Sequence, residues 1–148
     1  MAELVREIDV IAEEHPDAKR LKQLTGVGPL IATALVARFG DGAHFRCGRE
    51  AAASVELTPR HHGTGGKNRL MSITTQGDRY LRSILIHGAR SAVSVAHRKD
   101  DRLSRWATEF KQRSHTNIAA LALANKTVRM AWAMLRNGTD FEPGRAAA

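Results

Sequence analysis

LTGVGPLIATALV, residues 24–36, decides how the rest of the chain is read. Gly26, Val27 and Gly28 lie between two apolar stretches, and Pro29 stands where a helix should begin. Proline is favoured at the first helical position because its missing N–H would find no partner there in any case. PLIATALVARF then runs as one helix, and Gly40 supplies its stop. The two glycines allow positive φ and a close approach of backbone to a ligand. Turned outward at a helix N-terminus, the amides of Gly26, Val27 and Gly28 make an anion site that needs no particular side chain. Val27 is expected to anchor the turn in the core.

Upstream, AKRLKQL supplies a second short helix, so helix, glycine turn and helix together resemble the helix-hairpin-helix module, which grips nucleic-acid backbone without reading sequence. Before it, residues 1–15 form an amphipathic helix. Leu4, Val5, Ile8 and Ile11 recur at spacings of three and four, with Glu3, Glu7, Glu13 and Glu14 on the other face. Downstream, REAAASVE reads as a short helix with an alanine face. Gly77 and Asp78 open a long helix with an apolar stripe of Leu81, Ile84, Leu85, Gly88 and Ala92. DDRLSRWATEFKQR is a further helix, and the last one begins near His115. Its alternation of Ile118, Leu121, Asn125, Val128, Trp132 and Leu135 predicts a helix-pairing seam. Residues 16–136 make one domain, and residues 137–148 form a tail expected to fray. The expected fold is all-α: a helical domain with a helix-hairpin-helix-like motif and one long basic glycine-rich loop.

The bulk composition agrees. Aromatics are only 5% of the 148 residues while alanine and leucine abound, which favours packed helices over sandwiched strands. Lys and Arg number 23 against 15 Asp and Glu, a formal net charge of +8 that points to a polyanion. The basic residues are spread over several segments, which argues against a membrane surface. A lone cysteine, Cys47, excludes an internal disulfide framework, and no apolar run is long enough for a span. A soluble, cytoplasmic protein is expected. Cys47 itself is read as a small packed residue.

The loop LTPRHHGTGGKNRLMSITTQGDRYLRS, residues 57–83, gathers Arg60, Lys67, Arg69, Arg79 and Arg82 around flexible glycines, and its centre suggests a small hairpin. Arg79 and Arg82, three apart, share a helix face. Such a loop follows a phosphate chain. It is not a P-loop, because His61 stands where that pattern needs its first glycine and Asn68 where it needs a hydroxyl. His44, Cys47, His61 and His62 are not expected to hold zinc, since adjacent histidines rarely ligate one ion, and no metal site is assigned in this chain. His87 and His97 have no assigned role.

Taken in order, LTGVGPLIATALVARFGD, REAAASVELTPRHH, TGGKNRL, GDRYLRSILIHGAR and ALALANKTVRMAWAML resemble the C-terminal domain of transposases of insertion-sequence family 110/116/902. The resemblance runs from Leu21 to Leu135, and it implies that the helix of residues 1–15 is the start of a linker between two domains. It implies a DNA recombinase that works as a homo-oligomer under a structured guide RNA. It further implies an N-terminal RuvC-like domain whose acidic residues hold magnesium, a domain not expected in this chain. It also implies a serine in the basic loop that attacks a DNA phosphodiester. The family's loop reads Arg-x-His-Ser-(Ser/Thr)-Gly-Gly-Lys, whereas here Gly63 holds the serine position and Thr64 is the adjacent hydroxyl. Thr64 is therefore the candidate catalytic residue, and Gly26, Val27, Gly28, Arg60, Lys67, Arg69, Arg79 and Arg82 the candidate DNA contacts. The chain alone is expected to be inactive. The alternative reading is a stand-alone helix-hairpin-helix nucleic-acid-binding module without catalysis.

Overall fold

A computed structural model describes residues 1–64, 67–73 and 78–144, and the side chains of all these except 59–64 and 67–73. Among the described residues seven α-helices form the frame: α1 (Ala2–Glu14), α2 (Pro16–Leu21), α3 (Pro29–Phe39), α4 (Gly48–Ser54), α5 (Arg79–Val95), α6 (Arg102–Arg113) and α7 (Thr116–Asn137). Between α4 and α5 lies an antiparallel hairpin, β1 (Pro59–Thr64) and β2 (Lys67–Ile73), and a short 3-10 turn (Ala96–Arg98) follows α5. No described helix is long and apolar enough to cross a membrane.

The helix boundaries follow their local chemistry. Pro16 and Pro29 each occupy the first helical position. The Asp78 carboxylate accepts from the Leu81 amide at 2.9 Å and starts α5. Asp101 accepts from both the amide and the hydroxyl of Ser104, at 3.0 and 2.6 Å, and starts α6. Burial pushes the Asp101 carboxyl up, but those hydrogen bonds outweigh it and hold the group below the usual aspartate range. At α7 the ring nitrogen Nδ1 of His115 accepts from the Asn117 amide, and Gly138 ends the helix in the left-handed conformation.

The last helix in sequence is the central one in space: α5, α4, α6, α2 and α3 all pack on α7. Its buried face carries Ala119, Ala120, Leu123, Ala124, Thr127, Val128, Ala131, Met134 and Leu135. Of the predicted seam, Val128 and Leu135 lie on this face, and the rest of the face is shifted towards the alanines. Ile118 is exposed, Asn125 and Trp132 are half-buried and hydrogen-bonded, and the close-packing positions are alanines. Small residues let α5 approach closely, where Ala89, Ala92 and Val93 are likewise buried. Around this axis Leu21, Leu24, Leu35, Phe39, Leu57, Leu81 and Leu103 are almost fully enclosed, and each such side chain contributes about 1.5–3 kcal/mol on burial.

At the other extreme, α1 buries only Ala12. Leu4, Val5 and Ile11, part of its predicted apolar stripe, are exposed. Cys47 is exposed as well, at the residue preceding α4, which corrects its reading as a packed core residue. The segment after α7 returns to the turn between α2 and α3. Gln23 accepts from the Phe141 amide at 2.8 Å and donates to Asp140 at 3.3 Å, and Arg20 pairs with Asp140.

Candidate nucleic-acid interface

The glycine turn is built as expected in outline. Gly28 precedes Pro29 at the start of α3, and the Val27 side chain is buried. Its amides, however, divide into two kinds. The Val27 amide donates inward to the Leu24 carbonyl at 3.1 Å. Among the described residues the amides of Gly26 and Gly28 have no protein acceptor, and no side chain caps α3. An anion approaching α3 therefore meets Gly28 and the first helical amides, while the amide of Val27 is already committed.

The two glycines also differ in what surrounds them. Gly26 has φ +84°, and a Cβ there would lie 2.7 Å from the Gly88 carbonyl oxygen on α5. A Cβ on Gly88 would in turn overlap the Gly26 carbonyl. Turn and helix touch backbone to backbone, so this pair is fixed by packing. Around Gly28 nothing lies within 4 Å of an added Cβ, and its backbone (φ −89°, ψ 179°) suits any residue. Gly28 is the open side of the motif.

The basic loop contains the hairpin whose outline the sequence suggested. His61 pairs with Leu70, His62 with Arg69, Gly63 with Asn68 and Thr64 with Lys67, and the register slips between Pro59 and His61, beside Arg60. Gly63 and Thr64 thus end β1 directly across from Asn68 and Lys67, which begin β2. Gly65 and Gly66, which join the strands, lie outside the described residues, as do Thr74, Thr75, Gln76 and Gly77.

The hairpin's root is held from several sides. The Leu57 side chain is buried, and its carbonyl accepts from Asn125 Nδ2 of α7 at 3.0 Å. Glu56 has left-handed backbone, φ +56°, and its carboxylate accepts from Arg82 Nη1 of α5 at 2.9 Å. Both side chains of that pair are mostly enclosed, at 16% and 11% exposure. Arg82, a candidate DNA contact, thus has a carboxylate against its guanidinium. Arg79, one turn earlier, is exposed at the first residue of α5.

Sequence reasoning did not assign Glu56 or Asn125. Asn125 carried a legible signal, a polar side chain in a stripe otherwise apolar, and such a side chain needs a partner when buried. Glu56 carried none, because its partner is 26 residues away and its left-handed backbone is invisible in sequence.

A family profile described as transposase IS116/IS110/IS902 family matches residues 18–105. Three curated proteins illustrate the similarity. A probable family 20 transposase of Pseudomonas aeruginosa is 44% identical over 97% of this chain and 43% of its own length. The transposase for insertion sequence element IS1328 of Yersinia enterocolitica is 37% identical, over 94% of this chain and 42% of its own. That for element IS1111A of Coxiella burnetii is 35% identical, over 93% and 38%. The chain therefore spans well under half the length of each of these relatives.

Proposed function

The chain belongs to the IS116/IS110/IS902 transposase family, and on that premise we propose that it is the helical DNA-engaging part of such a transposase. It acts in DNA transposition by gripping duplex backbone without reading bases. Two features hold the DNA. The first is the helix-hairpin-helix formed by α2, the glycine turn and α3, with Gly28 offered to a phosphate. The second is the basic glycine-rich hairpin, where Arg60, Lys67 and Arg69 follow the strand and Arg79 stands at its exit. The observation that carries the reading is the hairpin's register: it brings Gly63 and Thr64 opposite Asn68 and Lys67 on a root pinned by Leu57, Asn125 and Glu56.

Attack on a phosphodiester needs a hydroxyl oxygen in line with the leaving oxygen. Gly63, where the family's serine belongs, has none. Thr64 is one residue displaced, and a misplacement of ~1 Å can cost about 10²-fold in rate. In this reading the chain binds DNA without forming a covalent intermediate, which is also what the stand-alone module predicts. A RuvC-like half with magnesium, a guide RNA and assembly of several copies belong to the longer family proteins, and are proposed for this chain only in that company.

A salt titration of duplex and branched DNA binding tests the grip. Four hairpin cations predict a slope of log affinity on log salt of about −3 to −4, and no affinity at low salt overturns the proposal. Placing Gly63→Ser in this chain, joined to a family N-terminal half, tests the chemistry by denaturing-gel detection of a DNA adduct. The adduct is expected only with serine. If the Gly63 chain forms it and Thr64→Ala abolishes it, Thr64 is the nucleophile instead.

A further inference from the structure

Several cations of the described residues stand against carboxylates. Glu13 takes Lys19 and Lys22, Asp17 and Asp140 take Arg20, Glu50 takes Arg46, Glu56 takes Arg82, and Asp100 takes Arg105. Arg102 of α6 and Lys126 and Arg129 of α7 are instead drawn together with one another. Among the described residues none of the three pairs with a carboxylate, and Arg102 donates only to the Gly144 carbonyl, at 3.2 Å. Lys126 Nζ stands 4.9 Å from the Trp106 ring centroid, and Trp106 leans on Phe110 at 5.4 Å, so the ammonium is fixed over a half-buried aromatic pair. Burial pushes the Lys126 ammonium below its usual value, and the charges of Arg129 and Arg102 push it the same way. Folding thus gathers three like charges and leaves them unneutralised, an arrangement that a multiply charged anion relieves. Glu109 is the acidic residue of α6, exposed and seven residues beyond Arg102.

The group adjoins the hairpin's root. Asn125, which holds the Leu57 carbonyl, directly precedes Lys126 and lies one turn before Arg129. The first residue of α4, Gly48, is so close to Arg129 that a Cβ on it would meet the Arg129 backbone at 3.3 Å. We propose that Arg102, Lys126 and Arg129 form a second contact for the phosphodiester backbone of duplex DNA, continuing past the root of the hairpin. The choice of DNA rests on the function proposed above, and the cluster itself rests on the uncompensated charges.

Lys126→Gln and Arg129→Gln, singly and together in the 148-residue chain, test this over a salt series with duplex DNA of arbitrary sequence. Each neutralised contact should reduce the magnitude of the salt slope by about 0.9, and the double variant by about 1.8. Arg129 is exposed, so its variant decides the matter should the half-buried Lys126 variant lose its fold. Its urea midpoint should hold or rise, because a repulsion is removed, whereas a purely structural arginine would lower it. An unchanged slope in the double variant, while Lys67→Gln with Arg69→Gln reduces it, overturns this second contact and leaves the hairpin reading standing. A loss confined to structured RNA, with DNA unaffected, overturns it too. No DNA affinity in the unsubstituted chain overturns both.

Discussion

The glycine turn and the hairpin root both lean on α5, by opposite means. The turn meets the helix backbone to backbone, at Gly26 and Gly88, where no side chain has room. The root meets it through one ion pair, Glu56 with Arg82, carried on long side chains and a left-handed residue. A steric contact between two main chains has a single solution. A contact between two flexible charged groups has many, and its strength depends on the water around it. The contrast separates a part of the molecule that is fixed by shape from a part that is fixed by charge, and the basic hairpin is attached to the second.

The largest expected effect breaks the steric side. Gly88→Ala should lose about 2–3 kcal/mol in urea denaturation, although alanine is the better helix former by about 1 kcal/mol. A neutral or stabilising result would mean that the two main chains do not touch as described. Next, Glu56→Ala should cost about 2 kcal/mol, between the values for exposed and fully buried pairs. Glu56→Gly should recover about 1 kcal/mol of that by removing the left-handed penalty. Equal losses in the two variants would show that the backbone at 56 relaxes freely.

Acid probes the same contrast. The folded carboxyl of Asp101 lies below its unfolded value, so its contribution is full above the unfolded pKa and drains as pH falls through the folded one. Asp101→Ala should therefore cost about 1 kcal/mol near neutrality, and less as the pH drops below the normal carboxylate range. The loss from Gly88→Ala, which involves no charge, should not change. A pH-independent deficit at Asp101 would contradict the cap. The smallest expected change in stability is Gly28→Ala, a few tenths of a kcal/mol, because the site is open and its backbone ordinary. Its effect should appear in DNA affinity, as a loss of about threefold from a methyl beside the phosphate. An unchanged affinity would remove the turn from the interface.

Much of the helical frame was legible because its punctuation is local. Pro29 and Gly40 set boundaries through their backbone and Asp78 through its carboxylate, and each stands at a helix end in the structure. Packing was harder to read. The seam along α7 caught Val128 and Leu135 but missed the buried alanines beside them, because a close approach to α5 favours small side chains. At the turn, the glycine spacing was legible but not the division of labour, since Gly88 lies 62 positions beyond Gly26. Arg82 looked like a DNA contact for the same reason: sequence shows the charge but not the Glu56 carboxylate that meets it. The cluster of Arg102, Lys126 and Arg129 draws on two helices, so only the fold makes it visible.

The helix on which the core is assembled, α7, is also the last made of the seven described. Until residues 116–137 have left the ribosome, α4 and α5 lack the surface that buries Ala51, Ala52, Leu85 and Ala89, and the earlier helices have only one another. The clasp of Gln23 on Asp140 and Phe141 comes later still, closing separations of 117 and 118 residues. Synthesis must therefore pass residue 141 before this fold can be completed. The nascent chain carries its basic loop into the cell before the scaffold that aims it exists.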